Sequence, residues 1–450
     1  MLAPAAALAQ NQNPSPNLDR DSQNASRHSA LAPGAAAATP AAAASEEIPF
    51  EKILANPGDL DLNERFAHEQ IDRGDLRGAA TTLERVLILA PGRDGTRLLY
   101  AAVLIRLDAL TDAERELEIL LKRSTSAEIN AQAKDFQKVI AGKKRRTHFD
   151  VHVTVGFAYD NNRNSAADSD QNLFFGTPIL LNPDSRRQDD TNVNFAGQVG
   201  VRRDLGGAKP WNLFANVGYY RGEQTRINSL DLQAYSASAG ANFRFHGYEI
   251  TPSVGFDHVL LSQSTYLRDP NQTLRVSKKV RPSVALWGEI RHEDQRFVRT
   301  PLVLNSNDRT GDQYDLSLGA IWVATPRDRV GFTIGHRRKL AVNSTQAYRR
   351  ESAGLDYTHL LGRGMFLAAG LSGQFDRYDQ ADPTLLRRAR SDDAMIASLL
   401  LGVPLDLAWK PLKGFMGTVG VERFQQTSNL LNYDYSNDRL SASVSYKWGI

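Results

Sequence analysis

The stretch Leu440-Ser-Ala-Ser-Val-Ser-Tyr-Lys-Trp-Gly-Ile450 alternates without a miss. Leu440, Ala442, Val444, Tyr446, Trp448 and Ile450 form one set; Ser441, Ser443, Ser445, Lys447 and Gly449 form the other. A period of two puts the sets on opposite faces of a β-strand, one apolar and one small or polar. An apolar face toward lipid, a polar face toward a wet lumen and aromatics at the interface describe a strand of a transmembrane β-barrel. Tyr446, Trp448 and Ile450 also have the character of the C-terminal signal read by the outer-membrane barrel assembly machinery, with Ile450 where Phe is commoner.

Upstream segments repeat the pattern. Phe149, Val151, Val153, Val155, Phe157 and Tyr159 alternate with His148, Asp150, His152, Thr154, Gly156 and Ala158. So do the runs over 235–245, 314–322 and 330–335. Segments of about ten such residues cross a bilayer when tilted. Short turns are expected at Gly206-Gly207, His246-Gly247, Ser277-Lys278-Lys279, Pro326-Arg327-Asp328, Gly362-Arg363-Gly364 and Lys410 to Gly414. Longer polar loops are expected at about 160–190, 222–229, 261–265, 295–312, 341–346, 379–390 and 427–438. Short turns alternating with longer loops give an even count of about fourteen strands, with both barrel ends facing the periplasm. The inward set is Ser, Gly, Thr, Asn and Gln, with scattered charges such as Arg202, Arg244, Glu289 and Arg291. It reads as a hydrated lumen without dense charge and without a plug domain.

Composition agrees. The 450 residues carry a net charge of +3 and no cysteine. That gives no charge case for nucleic acid and removes thiolate metal sites, thiol catalysis and disulfides. Mean hydropathy is −0.41, and no apolar run has the length of a transmembrane helix. Barrel strands escape a hydropathy scan because only alternate residues are apolar.

The N-terminal part is organised differently. Ala7-Leu8-Ala9 before Gln10 resembles the small-x-small end of a secretory signal, so 1–9 reads as a partial signal-peptide remnant. Residues 10–48 are rich in Ala, Pro, Ser and Asn and read as disordered linker. The segment 49–143 is expected to be helical, with a 34-residue tetratricopeptide-like spacing. Phe66-Ala67 recur as Tyr100-Ala101, Ala79 as Ala113, Leu83 as Leu117 and Val86 as Leu120; Asp108 stands where Gly74 stood. Small residues let paired helices approach, and large ones fill the gap to the next pair. The concave face of such an arc would carry Glu64, His68, Ile71, Asp72, Leu98, Ile105 and Arg106, as candidate cargo-binding residues.

Catalytic signatures are missing. His148 and His152 lie about 13 Å apart on a strand, too far to share a metal. Asp160-Asn161-Asn162 reads as turn chemistry before calcium binding. No nucleophile elbow, phosphate loop or dinucleotide fingerprint is present. The reading therefore contains no enzyme, no catalytic residue, no metal and no cofactor.

The expected fold is α+β in two domains: tetratricopeptide-like helices at 49–143, then a transmembrane antiparallel β-barrel of about fourteen strands at 147–450. Domain order, strand count and the barrel opening Phe149-Asp-Val-His-Val-Thr-Val-Gly-Phe-Ala-Tyr-Asp-Asn-Asn162 resemble the surface lipoprotein assembly modifier family. The chain differs from that family in its long Ala/Pro-rich leader and in having two clear repeats. The resemblance implies an outer-membrane translocator that moves particular proteins or lipoproteins from periplasm to cell surface. Its implied partners are the outer-membrane bilayer, the barrel assembly machinery, a secreted cargo and periplasmic chaperones, with the helical domain in the periplasm. The rival reading is an exopolysaccharide export porin on a tetratricopeptide scaffold.

Overall fold

The computed structural model describes residues 48–206, 211–385 and 387–449. The signal-remnant reading of 1–9, nearly all of the linker 10–48, Gly207 and Ile450 lie outside the described residues. The described chain falls into two compact units that divide at Arg145/Arg146.

The first unit is helical: α1 (Phe50–Ala55), α2 (Leu60–Asp72), α3 (Leu76–Leu89), α4 (Asp94–Arg106), α5 (Leu110–Arg123) and α6 (Ala127–Lys144). The hairpin α2–α3 recurs as α4–α5 with each helix the same length and displaced by 34 residues. Ala67, Ala79, Leu83, Ala101, Ala113 and Leu117 are all 0 % exposed. The small residues are thus where backbones pack closely. The turns also repeat. Gly74 adopts φ +83° and Asp108 φ +63°. Asp75 N–H bonds to Gln70 C=O at 2.8 Å and Gly74 N–H to Ile71 C=O at 3.0 Å. Ala109 bonds to Leu104 and Asp108 to Ile105 in the same way, at 3.0 and 3.2 Å. Both turns are Schellman caps. Asp is among the few residues besides Gly that visit this conformation, so the turn survives the change.

The second unit is a closed barrel of fourteen antiparallel strands. They are β1 (Thr147–Asp160), β4 (Asp190–Asp204), β5 (Asn212–Gln224), β6 (Leu232–Phe245), β7 (Tyr248–Leu261), β8 (Ser264–Arg281), β9 (Val284–Phe297), β10 (Gly311–Val323), β11 (Asp328–Lys339), β12 (Tyr348–Gly362), β13 (Met365–Tyr378), β14 (Ser391–Pro404), β15 (Phe415–Ser428) and β16 (Tyr435–Gly449), with a separate hairpin β2–β3 (Gln171–Phe174, Thr177–Leu180) in the first loop. Sequential strands are hydrogen-bonded neighbours, and β16 returns to β1 from Asp150↔Gly449 to Asp160↔Arg439. The quoted C-terminal strand is therefore the one that closes the sheet. Closure matters because an open edge would leave unpaired N–H and C=O groups in hydrocarbon.

The two faces separate by parity all the way round. Outward residues include Val155, Val217, Val254, Phe332, Leu355, Leu371, Val419 and Val444, all exposed; Val217 reaches 61 %. An apolar belt of that extent on a closed sheet is a lipid-facing surface. The inward partners are Gly156, Ser238, Ser317, Ser372, Ser398 and Ser443 among others.

Three connections differ from expectation. The short turn expected at Lys410 to Gly414 is the longer connection 405–414, with 3-10 turns at Leu405–Leu407 and Lys410–Leu412. The turn expected at 277–279 lies inside β8 (Ser264–Arg281), and β9 (Val284–Phe297) begins after Pro282-Ser283. Ser277 and Lys279 continue the inward set, while Lys278 lies over the Tyr248 ring at 4.2 Å. The polar run is a rim, and its polarity had been read as a turn. The loop expected at 261–265 is the two-residue turn Ser262-Gln263, with φ +45° and +66°. Two positive φ values in succession are the type I′ geometry that suits strand twist. Neither residue is glycine, so the sequence did not announce it.

Two tests follow from this packing. Val444→Arg on the lipid face should cost about 2–4 kcal/mol if it sits near the midplane. Ser443→Arg, on the lumen side where Ser443 and Thr418 hydroxyls meet at 2.7 Å, should cost much less, as read from urea unfolding of the refolded barrel. Ala79→Leu or Ala113→Leu should overpack the hairpin contacts by about 1–3 kcal/mol, lowering the melting point of a helical 49–143 fragment followed by circular dichroism.

Candidate functional site in the lumen and on the helical repeats

On β1 and β4–β6 the inward positions mix small and polar residues such as Thr154, Gly156, Asn194, Asn216, Gly218, Ser236 and Ser238 with His148, Asp150, His152, Arg202, Phe214 and Tyr220. The wall formed by β9–β14 is different and corrects the expectation of scattered charge. Arg291, Asp315, Arg337, Arg350, Asp376 and Asp392 are successive register partners on six neighbouring strands. They form one row. Arg337 Nε meets Asp315 Oδ1 at 2.5 Å, and Arg350 grips Asp376 through two bonds of 2.6 and 2.7 Å. Arg291 reaches Glu293 at 2.6 Å and Asp257 at 3.3 Å. Gln313 and Gln295 both donate to Glu293 at 2.7 Å, and Lys339 Nζ donates to Gln295 at 2.9 Å. Arg390, from the following loop, closes the row on Asp392 at 2.7 Å. Each strand contributes one member of the row, so linear sequence shows scatter, and only register assembles them. Because the signs are paired, the row stiffens the wall more than it charges the lumen.

The long-loop end carries further structure. The hairpin β2–β3 is tied to two other loops. Phe175 N–H bonds to Thr384 C=O at 2.8 Å, Gly176 N–H to Leu385 C=O at 2.7 Å, and Leu173 N–H to Asn432 Oδ1 at 2.9 Å. Loop 298–310 packs Val303 among Leu232, Val259, Leu261, Tyr266 and Leu267. Four of these, Leu232, Val259, Leu261 and Leu267, lie on the inward face by register, so this loop tucks inside the mouth. Loop 298–310 thus lines the mouth from within, where the sequence offered no plug to expect. Asp160 is buried beside Arg439 at 3.6 Å and accepts from Asn437 at 2.8 Å. Asn162 donates to Ala166 and Ser436 carbonyls at 2.9 Å. The Asp160-Asn161-Asn162 segment is thus occupied by turn contacts. In these loops Arg226 hydrogen-bonds Asp189 and holds its carboxyl below the ordinary range, while burial lowers Arg163.

The candidate cargo-binding residues separate into three groups. Leu98 and Ile105 are buried, in the core that α4 forms with α5 and α6. They cannot belong to an open face, because the repeat turns them into the next hairpin. Ile71 is half-buried against the Ala67, Ala79, Leu83 and Val103 cluster. Glu64 is tied up by Arg93 at 3.1 Å and by the Thr96 hydroxyl. His68, Asp72 and Arg106 remain exposed. Arg93, which the sequence reading passed over, links Asp61 at 2.7 Å and Glu64 across successive hairpins. Its position just before α4 was the available signal.

Of the C-terminal residues, Tyr446 and Trp448 face outward at the short-turn end, and Tyr446 packs on Phe415 with ring centroids 4.7 Å apart. His148 Nε2 pairs with Asp204 at 3.3 Å. Among the described residues no group of three His, Asp or Glu is placed to hold a metal.

The ion row generates a measurable expectation. A double-mutant cycle on Arg350→Ala and Asp376→Ala should give a coupling energy of about 0.5–3 kcal/mol. Urea titration of the four refolded proteins would read it.

No family model and no curated protein matches the chain. Among solved structures it is similar to OmpT of Vibrio cholerae lacking loop L8, at 9% identity over 68% of this chain and 100% of that one, with a TM-score of 0.38. It is also similar to CdiB from Acinetobacter baumannii, at 10% identity over 68% and 60%, TM-score 0.38. A third is a bacterial polysaccharide outer membrane secretin, at 10% identity over 66% and 98%, TM-score 0.34. At these scores no function passes from them to this chain. Its own geometry, a closed antiparallel sheet with an apolar belt outside and a polar lumen, is that of an outer-membrane β-barrel.

Proposed function

We propose that the chain is a translocator that moves a specific protein or lipoprotein cargo from the periplasm to the cell surface, with the helical unit docking the cargo or its chaperone. One observation carries this reading: a 34-residue helical-hairpin repeat is joined directly to the barrel, with α6 ending at Lys144 and β1 starting at Thr147. That junction lies at the short-turn end of β1, which in outer-membrane barrels faces the periplasm. A passive pore needs no docking module. A cargo that must be chosen benefits from one, because docking raises its local concentration at the barrel mouth. The paired lumen row supports the same view, since neutralised charges give little basis for selecting small ions.

A second reading has one observation in its favour. Trp287 lies flat over Gly319, where an added Cβ would come within 2.4 Å of the indole. Arg275 lies over the same ring at 4.0 Å from its centroid, and an indole stacked with an arginine on a lumen wall suits a passing glycan, which is the polysaccharide-export alternative.

Deletion of 49–143 should leave a heat-modifiable barrel in the membrane and remove one or a few proteins from the protease-accessible surface. Asp72→Ala with Arg106→Ala should weaken cargo capture without harming barrel assembly. Loss of exopolysaccharide with an unchanged surface proteome would overturn the translocator reading in favour of glycan export.

A further inference from the structure

Three arginines stand side by side on the outside of the barrel. Arg338, Arg349 and Arg377 are successive register partners on β11 (Asp328–Lys339), β12 (Tyr348–Gly362) and β13 (Met365–Tyr378). They share parity with Phe332, Ile334, Leu355 and Leu371, so they lie on the lipid-facing side. Like charges directly opposite one another destabilise a sheet. Two carboxylates relieve this in part. Asp379 takes both Arg338 guanidinium nitrogens at 2.7 and 2.5 Å, and Asp393 takes Arg377 at 2.6 Å. Arg349, exposed between them, makes three guanidiniums against two carboxylates. One turn of pleat below, Glu351 is engaged by His336 at 2.7 Å.

Height decides what the row meets. From Arg338 down β11 to Asp328 is ten residues. At about 3.4 Å per residue and a tilt of about 40°, that is about 26 Å of membrane depth. Asp328 is bonded there by Tyr357 and His359, each at 2.7 Å, in a second polar girdle at the short-turn end. Between the two levels these strands turn Val330, Phe332, Ile334, Leu355 and Leu371 outward. The apolar band of an outer-membrane barrel is about 25 Å tall. The arginine row therefore marks the long-loop edge of the lipid belt, at headgroup level of the outer leaflet.

We propose that Arg338, Arg349 and Arg377 form a binding site for the phosphate of an outer-leaflet phosphoglycolipid. A phosphate seated at Arg349 would supply the missing anion, while the acyl chains lie along the apolar strands below. The proposal depends on the barrel's orientation and not on the nature of the cargo, so its failure would leave the translocator reading untouched.

The test uses the full chain in a neutral detergent, with native mass spectrometry reading bound bisphosphorylated lipid A. Retention of lipid A is expected, with affinity about tenfold weaker in Arg349→Gln and binding lost in the triple Gln variant. Arg203→Gln, an outward position at the opposite end, should bind as wild type. Arg349→Gln leaves both ion pairs in place, and heat-modifiable mobility checks folding of each variant. Equal binding by wild type and Arg349→Gln would overturn the proposal. So would equal retention of dephosphorylated lipid A, or displacement of the lipid by millimolar inorganic phosphate.

Discussion

Everything in the barrel depends on one constraint: in hydrocarbon, each backbone N–H and C=O must find its partner within the sheet. The β1–β16 seam meets it by pairing Asp150↔Gly449 through Asp160↔Arg439. The seam does more than close hydrogen bonds. It aligns Val155 with Val444 and Gly156 with Ser443, so that the lipid set and the lumen set meet without a phase error. A slip of one residue would turn every side chain of the closing strand to the wrong face. Parity, once matched at the seam, is carried through all fourteen strands.

Register also builds what no strand holds alone. The lumen row needs Arg291, Asp315, Arg337, Arg350, Asp376 and Asp392 to arrive at neighbouring positions on six strands. On the far side of the same strands, shifted by one residue, Arg338, Arg349 and Arg377 do likewise. The two rows differ in their solvent. Inside, acids and bases pair across the sheet and satisfy each other. Outside, three arginines share two acids at the edge of the lipid belt, where anions of the membrane are at hand.

The features that were legible from sequence are those with a period. Alternation located the strands, and the 34-residue offset located both helical hairpins, down to Ala67/Ala101 and Ala79/Ala113. Features that depend on pairing between distant segments were not legible. Ser262-Gln263 makes a type I′ turn without glycine because the strands on either side impose it. Leu98 and Ile105 were placed on an open face, whereas α5 and α6 pack over them. Charge in the lumen was read as scattered because a linear chain separates Asp315 from Arg350 by a whole hairpin.

The lumen row and the helical repeats bear on the same question, which is where selection occurs. A pore that sorts small solutes by charge needs unpaired groups of one sign along its path. Here the dense charge is arranged as pairs, with Arg337 on Asp315 and Arg350 on Asp376, and the mouth is lined by loops that bond to one another. Such a wall offers hydration and rigidity more than discrimination. On the proposed translocator reading, discrimination would fall to a surface outside the lumen, for which the exposed His68, Asp72 and Arg106 of the repeats are the candidates. On that reading, a docking unit linked to a weakly selective barrel would separate choosing a cargo from passing it, because the effective concentration set by the linkage acts only on what the unit holds.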